Sequence, residues 1–317
     1  FQQLQRPIVS ANAYLGAEPI SQALSMGARI VITGRVADAS LTVGPAVHHF
    51  GWSWDDWDRL SAASVAGHII ECGAQATGGY STDWKDYELA HIGYPIAELS
   101  DDGTAAITKP SGSGGAVTRH TVTEQLVYEI GDPAAYFTPD VVVDFTGVEL
   151  ADLAEDRVAV RGAVGRPAPN DYKVSMAYAD GYMASGQLLV YGSDCVVKAK
   201  VAASIVEERL RQEGMELART HVELLGAGDS LPGLQPPPHD LQEVVLRIAV
   251  HDERREAVAA FARQFAPLIT SGPAGLAGYA QGRPVVRPVY SYWPTTVPKE
   301  RITSEVNVRT AKEWINY

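Results

Sequence analysis

The chain is poor in cysteine, in basic residues and in long apolar runs, and each shortage removes a class of function. Only Cys72 and Cys195 occur among 317 residues. Two thiols cannot build a disulfide framework, so a reducing, cytoplasmic setting is expected. Lys and Arg number 26 against 38 Asp and Glu, giving a net charge of -12. Nucleic acids and anionic membranes are bound through clustered basic side chains, so neither is an expected partner. No stretch approaches the ~18 consecutive apolar residues of a membrane-spanning helix. The opening FQQLQRPIVSAN lacks an initiator Met and reaches strand-like sequence at once, so further sequence is expected upstream.

What is present suits a globular protein with a sizeable core. Apolar residues make up 46% of the chain, and the mean hydropathy is -0.07. The length suggests two domains, or one large domain with an appendage. PIVSAN (7–12) reads as a strand, EPISQALSMG (18–27) as a helix with Pro near its start, and ARIVITG (28–34) as a second apolar strand. Strand, helix and strand in that order predict a βαβ unit and a parallel sheet. Residues 1–150 are therefore expected to form a Rossmann-like, three-layer α/β core, and residues 151–317 a smaller α+β region. Helices are expected over 39–49, from about 60 to the glycines at 78 and 79, over 116–131, 194–213 and 253–268. KVSMAYADGYMASGQLLVYG (173–192) reads as two strands, and the triple proline at 236–238 as a loop.

Three stretches carry candidate chemistry. In GHIIECGAQATGG (67–79), His68, Glu71, Cys72 and Gln75 fall at i, i+3, i+4 and i+7, which is one helical stripe. A His and a Glu so spaced suit acid–base work or metal ligation, and a Cys beside a His suits a nucleophile. The plainer alternative is a satisfied core histidine, a solvent-facing Glu and a small apolar Cys. Ligands of open parallel sheets sit at strand carboxyl ends. That rule singles out Asn12 after the first strand, and Thr33, Gly34, Arg35 and Asp38 after the second. Arg35 would hold a carboxylate or phosphate, and Asp38 would cap the next helix or steady Arg35. In KPSGSGGAVT, Lys109, Gly112, Gly114, Gly115 and Thr118 link a strand to a helix start, a pattern able to cradle an anion. The spacing fits neither a Walker loop nor a dinucleotide fingerprint. A flexible hinge is the plainer reading of this loop.

The long run SANAYLGAEPISQALSMGARIVITGRVADASLTVGPAVHHFGWSWDDWDRLSAASVAGHIIECGAQATGG resembles the acyclic terpene utilisation (AtuA) family. ITKPSGSGGAVTRHTVTEQLVYEIGDPAAYFTPDVVVDF and TSGPAGLAGY continue the likeness. The resemblance implies a place beside enzymes that degrade citronellol- and geraniol-type acids as CoA thioesters. It also implies an additional glycine-rich α/β segment ahead of this chain. It assigns no catalytic residue. The expected function is cofactor-independent acid–base chemistry on an acyl-CoA or carboxylate. His68, Glu71, Cys72 and Asp38 would do the chemistry, and Asn12, Thr33, Gly34, Arg35, Gln75 and the Lys109–Thr118 loop would bind the ligand. No resident cofactor or metal is expected. The alternative is a non-catalytic acyl-ligand binder or pathway scaffold. A homo-oligomer is compatible with either.

Overall fold

The computed structural model describes residues 4–233, 240–278 and 282–315, so the triple proline at 236–238 lies outside the described residues. The chain opens with β1 (Ile8–Ala13), α1 (Glu18–Ser25), α2 (Ser40–Phe50) and α3 (Trp57–Glu71). Then come β2 (Ile96–Leu99), β3 (Ala105–Thr108), α4 (Arg119–Leu126), β4 (Tyr136–Phe137) and β5 (Val142–Asp144). β6 (Glu149–Ala154), β7 (Arg157–Arg161), β8 (Val164–Arg166) and the long β9 (Asp171–Tyr191) follow. The remainder is α5 (Cys195–Gln212), β10 (Arg219–Leu225), β11 (Glu243–Asp252), α6 (Arg255–Ser271), β12 (Leu276–Gly278), β13 (Arg287–Pro298) and α7 (Ala311–Ile315).

These elements form two compact units, neither continuous in sequence. One comprises Phe1–Ser10 with Met176–Trp293, and the other Ala11–Ser175 with Pro294–Tyr317. The boundary expected near residue 150 falls inside the second unit, within β6.

In the first unit, strands run in the order β1-β9-β11-β10, with β12 and β13 also on β9. Strict alternation makes this sheet. Val244, Leu246, Ile248 and Val250 of β11 are buried while the residues between them are not. Period-two burial turns one face to a core and leaves the other wet. α5 and α6 supply the cover. Ala199, Ala202, Val206 and Leu210 of α5, and Phe261, Phe265 and Leu268 of α6, meet the sheet in one cluster. The two strands expected over 173–192 are one strand of 21 residues. Its AspGly pair is a kink and not a reversal: Gly181 takes φ +78°, the strand runs on through it, and the ladder against β11 begins at the next residue, Tyr182.

The second unit has two small sheets, β2-β3-β7-β6 and β4-β5-β8, packed with α2, α3 and α4 around Val43, Leu60, Ile69, Ile107, Val122 and Val143. Here the expected parallel sheet fails. The chain is mixed α and β, but the ladders within β2-β3-β7-β6, β4-β5-β8 and β9-β11-β10 are antiparallel. The apolar run at 28–34 forms no strand: Ile30 is 83% and Ile32 92% exposed. Apolarity over seven residues cannot separate a buried strand from an exposed segment. The single parallel bridge nearby joins Leu15 and Val36. Among the described residues no helix is long and apolar enough to cross a membrane.

Candidate functional site

α3 is the central helix of its unit, buried on nearly every side from Leu60 to Ile69. It can be so enclosed because small residues line it. A side-chain carbon on Gly67 would meet the Ala39 backbone at 2.9 Å, so α2 starts in backbone contact with α3. That approach places Asp38, the residue before, beside the last turn of α3. His68 is 2% exposed, and its Nδ1 lies 3.0 Å from Glu71 Oε1. A carboxylate only accepts, so in the neutral ring the proton sits on Nδ1 and Nε2 carries a bare lone pair. Nε2 is buried with no partner. The ring lies between Tyr136, 6.2 Å away, and the edge of Phe145, 5.7 Å away.

The rest of the stripe is not one helical face. α3 ends at Glu71, Cys72 caps it, and Gln75 lies in a 3-10 turn, Gly73–Thr77, that Gly73 opens with φ +58°. Cys72 is exposed, and its thiol pKa is raised. Partial burial is the main cause, joined by the negative charges of Glu71, Glu129 and Asp38 and opposed by hydrogen bonding from Gln125. Such surroundings hold the thiol protonated, the reverse of an activated nucleophile. Burial, Glu71, Asp38 and Glu129 likewise raise the Tyr136 hydroxyl. Asp38, Glu71, Cys72, Glu129 and Tyr136 thus share one electrostatic neighbourhood at the end of α3.

Asp38 does not cap α2; its Oδ2 accepts from Arg35 Nη2 at 3.2 Å. Arg35 in turn lies 4.1 Å above the Tyr14 ring, and Lys173 lies 5.0 Å from the same ring. Two cations on one ring suit a carboxylate or phosphate. Thr33 and Gly34 are exposed beside Arg35, and Asn12 is exposed in β1.

The glycine-rich loop goes elsewhere. Its backbone donors from Ser113 onward are spent: Ser113 on Pro110, Gly114 on His91, Gly115 on Glu88, Ala116 on Thr77, Val117 on Asp156 and Thr118 on the Thr121 hydroxyl. Lys109 pairs with Asp156 at 3.0 Å and donates to the Ser113 carbonyl at 2.7 Å. An anion would have to displace these partners. The nearby open groove of about 510 Å³ includes Asp152, Glu155 and Asp156, which repel one. The expected helix over 116–131 spans only Arg119–Leu126, started by a capping box between Thr118 and Thr121.

Six residues at the site escaped the sequence reading, namely Tyr14, Lys173 and Tyr136, already described, and Gln125, Phe145 and Glu129. Gln125 is fully buried; its Nε2 donates to the His68 carbonyl at 2.9 Å, and its Oε1 has no partner. Phe145 walls the imidazole. Glu129 adopts φ +58°, a strained state for a residue with a side chain. A polar residue at 0% exposure leaves no mark in hydropathy, and Gln125 reads in EQLVYE like any solvent-facing position. Among the described residues, no group of three or more His, Cys, Asp or Glu is arranged to hold a metal ion.

No curated protein matches the chain significantly. The family model for the acyclic terpene utilisation family protein AtuA matches residues 1–308, so the chain belongs to the AtuA family.

Proposed function

We propose that this member of a family associated with acyclic terpene utilisation is an acid–base enzyme acting on a branched acyl or carboxylate substrate, such as an acyl-CoA. The observation that supports this reading is the His68–Glu71 pair. Glu71 fixes the ring so that a buried, unpartnered Nε2 lone pair is left to take a proton. The proton would come from the carbon next to the acyl carbonyl or from a water that adds to the chain. Glu71 would stabilise the imidazolium so formed. Arg35 and Lys173 would hold the anionic end of the substrate over Tyr14. Isomerisation, hydration and hydrolysis all use this arrangement.

A second reading has its own support. His68 is 2% exposed and lines neither described cleft, which favours an acyl-ligand binder in which His68 is structural. One experiment separates the two. Full-length protein is heated with and without CoA, geranoyl- and citronelloyl-type thioesters and the free acids, beside Arg35→Ala and His68→Gln. A ligand at a hundred times its dissociation constant stabilises by about 2.7 kcal/mol. The enzyme reading expects a shift that is lost in Arg35→Ala, retained in His68→Gln, and accompanied by turnover only in the parent. A shift without turnover in the parent supports the binder. No shift with any of these ligands overturns both.

A further inference from the structure

A second cleft, of about 190 Å³, carries chemistry that the His68 group does not use. Its walls include Leu15, Trp54, Trp57 and Tyr172, and its polar groups include Lys299, Asp140 and Glu18. Lys299 Nζ donates to the Pro139 carbonyl at 2.6 Å and lies 5.4 Å from the centre of the Tyr172 ring. None of the ion pairs among the described residues includes it. An ammonium has three donors, so one bond leaves capacity directed at the cleft. Asp140 is buried behind it, accepting from Ala17 N at 2.7 Å and Ser40 Oγ at 2.6 Å. Burial lowers the pKa of the Lys299 amine, against the pull of Asp140 and Glu18. Burial also raises that of Asp140, against its hydrogen bonds to Ser40 and Ala17 and the charge of Lys299. Both shifts run toward the neutral forms, and the one on Lys299 raises the share of unprotonated amine able to attack a carbonyl.

We propose that this cleft takes a small aldehyde or ketone, and that Lys299 condenses with its carbonyl carbon to form an imine. Charge selects the ligand. The lining holds two acidic side chains, Asp140 and Glu18, against one basic one, Lys299, a balance that gives a carboxylate ligand no net attraction and leaves a neutral carbonyl unaffected. Size does the same, since the volume is that of roughly six waters and matches a short branched aldehyde. The amine lone pair forms the C–N bond as the carbonyl π pair moves to oxygen. A proton passes from nitrogen to that oxygen. The hydroxyl takes a second proton from an acid and leaves as water, while the nitrogen lone pair closes the C=N bond as an iminium, whose N–H proton then returns to that acid to leave the imine. Amine and carbonyl give imine and water, and Asp140 and Glu18 stand where they can carry the protons.

The test treats the full chain with 3-methylbutanal and sodium cyanoborohydride, which reduces an imine to a stable secondary amine. Peptide mass mapping then follows all seven lysines over time. Lys299 should be modified first, approaching one equivalent before the exposed Lys85 and Lys200 react appreciably. Lys299→Arg, which keeps the charge and a donor for Pro139, should lose this fast adduct and leave the others unchanged. Modification of Lys299 no faster than Lys85 and Lys200, or a fast adduct that survives in Lys299→Arg, overturns the proposal. The first comparison is internal to the parent protein and does not depend on any variant folding.

Discussion

Gly16 has no room for a side chain. A carbon built there would lie 2.3 Å from Asp140 Oδ1 and 3.3 Å from Pro139 Cβ. Gly16→Ala is therefore expected to destabilise by roughly 1–3 kcal/mol, as overpacking does in tight sites, read as a lower urea midpoint. An unchanged midpoint would mean that Asp140 sits more loosely than its two hydrogen bonds indicate. Cys72 gives a second expectation at this scale. With its thiol held protonated, it should alkylate slowly with iodoacetamide at pH 7 despite its exposure. Glu71→Gln should speed the reaction by removing one of the charges responsible. An ordinary rate in the parent, unaltered in the variant, would separate Cys72 from the carboxylates around it. The types and spacing of His68, Glu71 and Cys72 were legible in GHIIECGAQ because i, i+3 and i+4 hold within the last helical turn. Gln75 was misplaced because Gly73 leaves the helix, and nothing in a lone glycine announces a positive φ.

At the scale of elements, α4 depends on its start. Thr118 Oγ1 accepts from Thr121 N at 3.2 Å, and Thr121 Oγ1 accepts from Thr118 N at 3.0 Å. Thr118→Val removes one arm and should cost about 1 kcal/mol, measured by thermal melting. A loss near zero would show that packing against the 3-10 turn alone holds the helix. In β11, Leu246 is fully buried between α5 and α6. Leu246→Ala should cost about 2–5 kcal/mol by transfer and cavity terms together. The same alternation that buries Leu246 is visible in the sequence EVVLRIAVH itself. α5 and α6 were readable for the matching reason, a one-sided apolar stripe. The N-terminal sheet was misread because ARIVITG offers apolar side chains with no neighbour to bury them. Burial is a property of the partner surface, not of the run. β9 was misread as two strands because AlaAspGly looks like a turn when the strand beside it is unknown.

At the scale of the whole molecule, acid stability rests on carboxylates held low. Asp252, 4% exposed, is pushed far below the usual range, chiefly by Arg254 and also by the backbone N–H groups of Arg254 and Ala218. A carboxylate depressed in the folded state contributes stability above its unfolded pKa of about 3.9 and loses it as pH falls further. Glu223, held down by Arg247 and His221 against its burial, adds in the same direction. Denaturant midpoints should therefore be level at neutral pH and fall steeply below about pH 4.5, the region of unfolded Glu and Asp. Asp252→Asn should lower the neutral plateau and flatten the fall; a parallel curve would assign the acid loss elsewhere. Truncation is a separate expectation. A fragment ending at 150 lacks β7, the neighbour of both β3 and β6, and should be protease-sensitive throughout. The interleaving of the two units has a further meaning for synthesis. At roughly 5–20 residues per second on the ribosome, the stretch 1–10 is made well ahead of the rest of its unit, which is closed only by the arrival of 176–293. The other unit, largely made by then, is in turn held open until 294–317 follows. The unit of 176–293 is thus complete while the other still lacks its last segment, although most of that other unit was made before it.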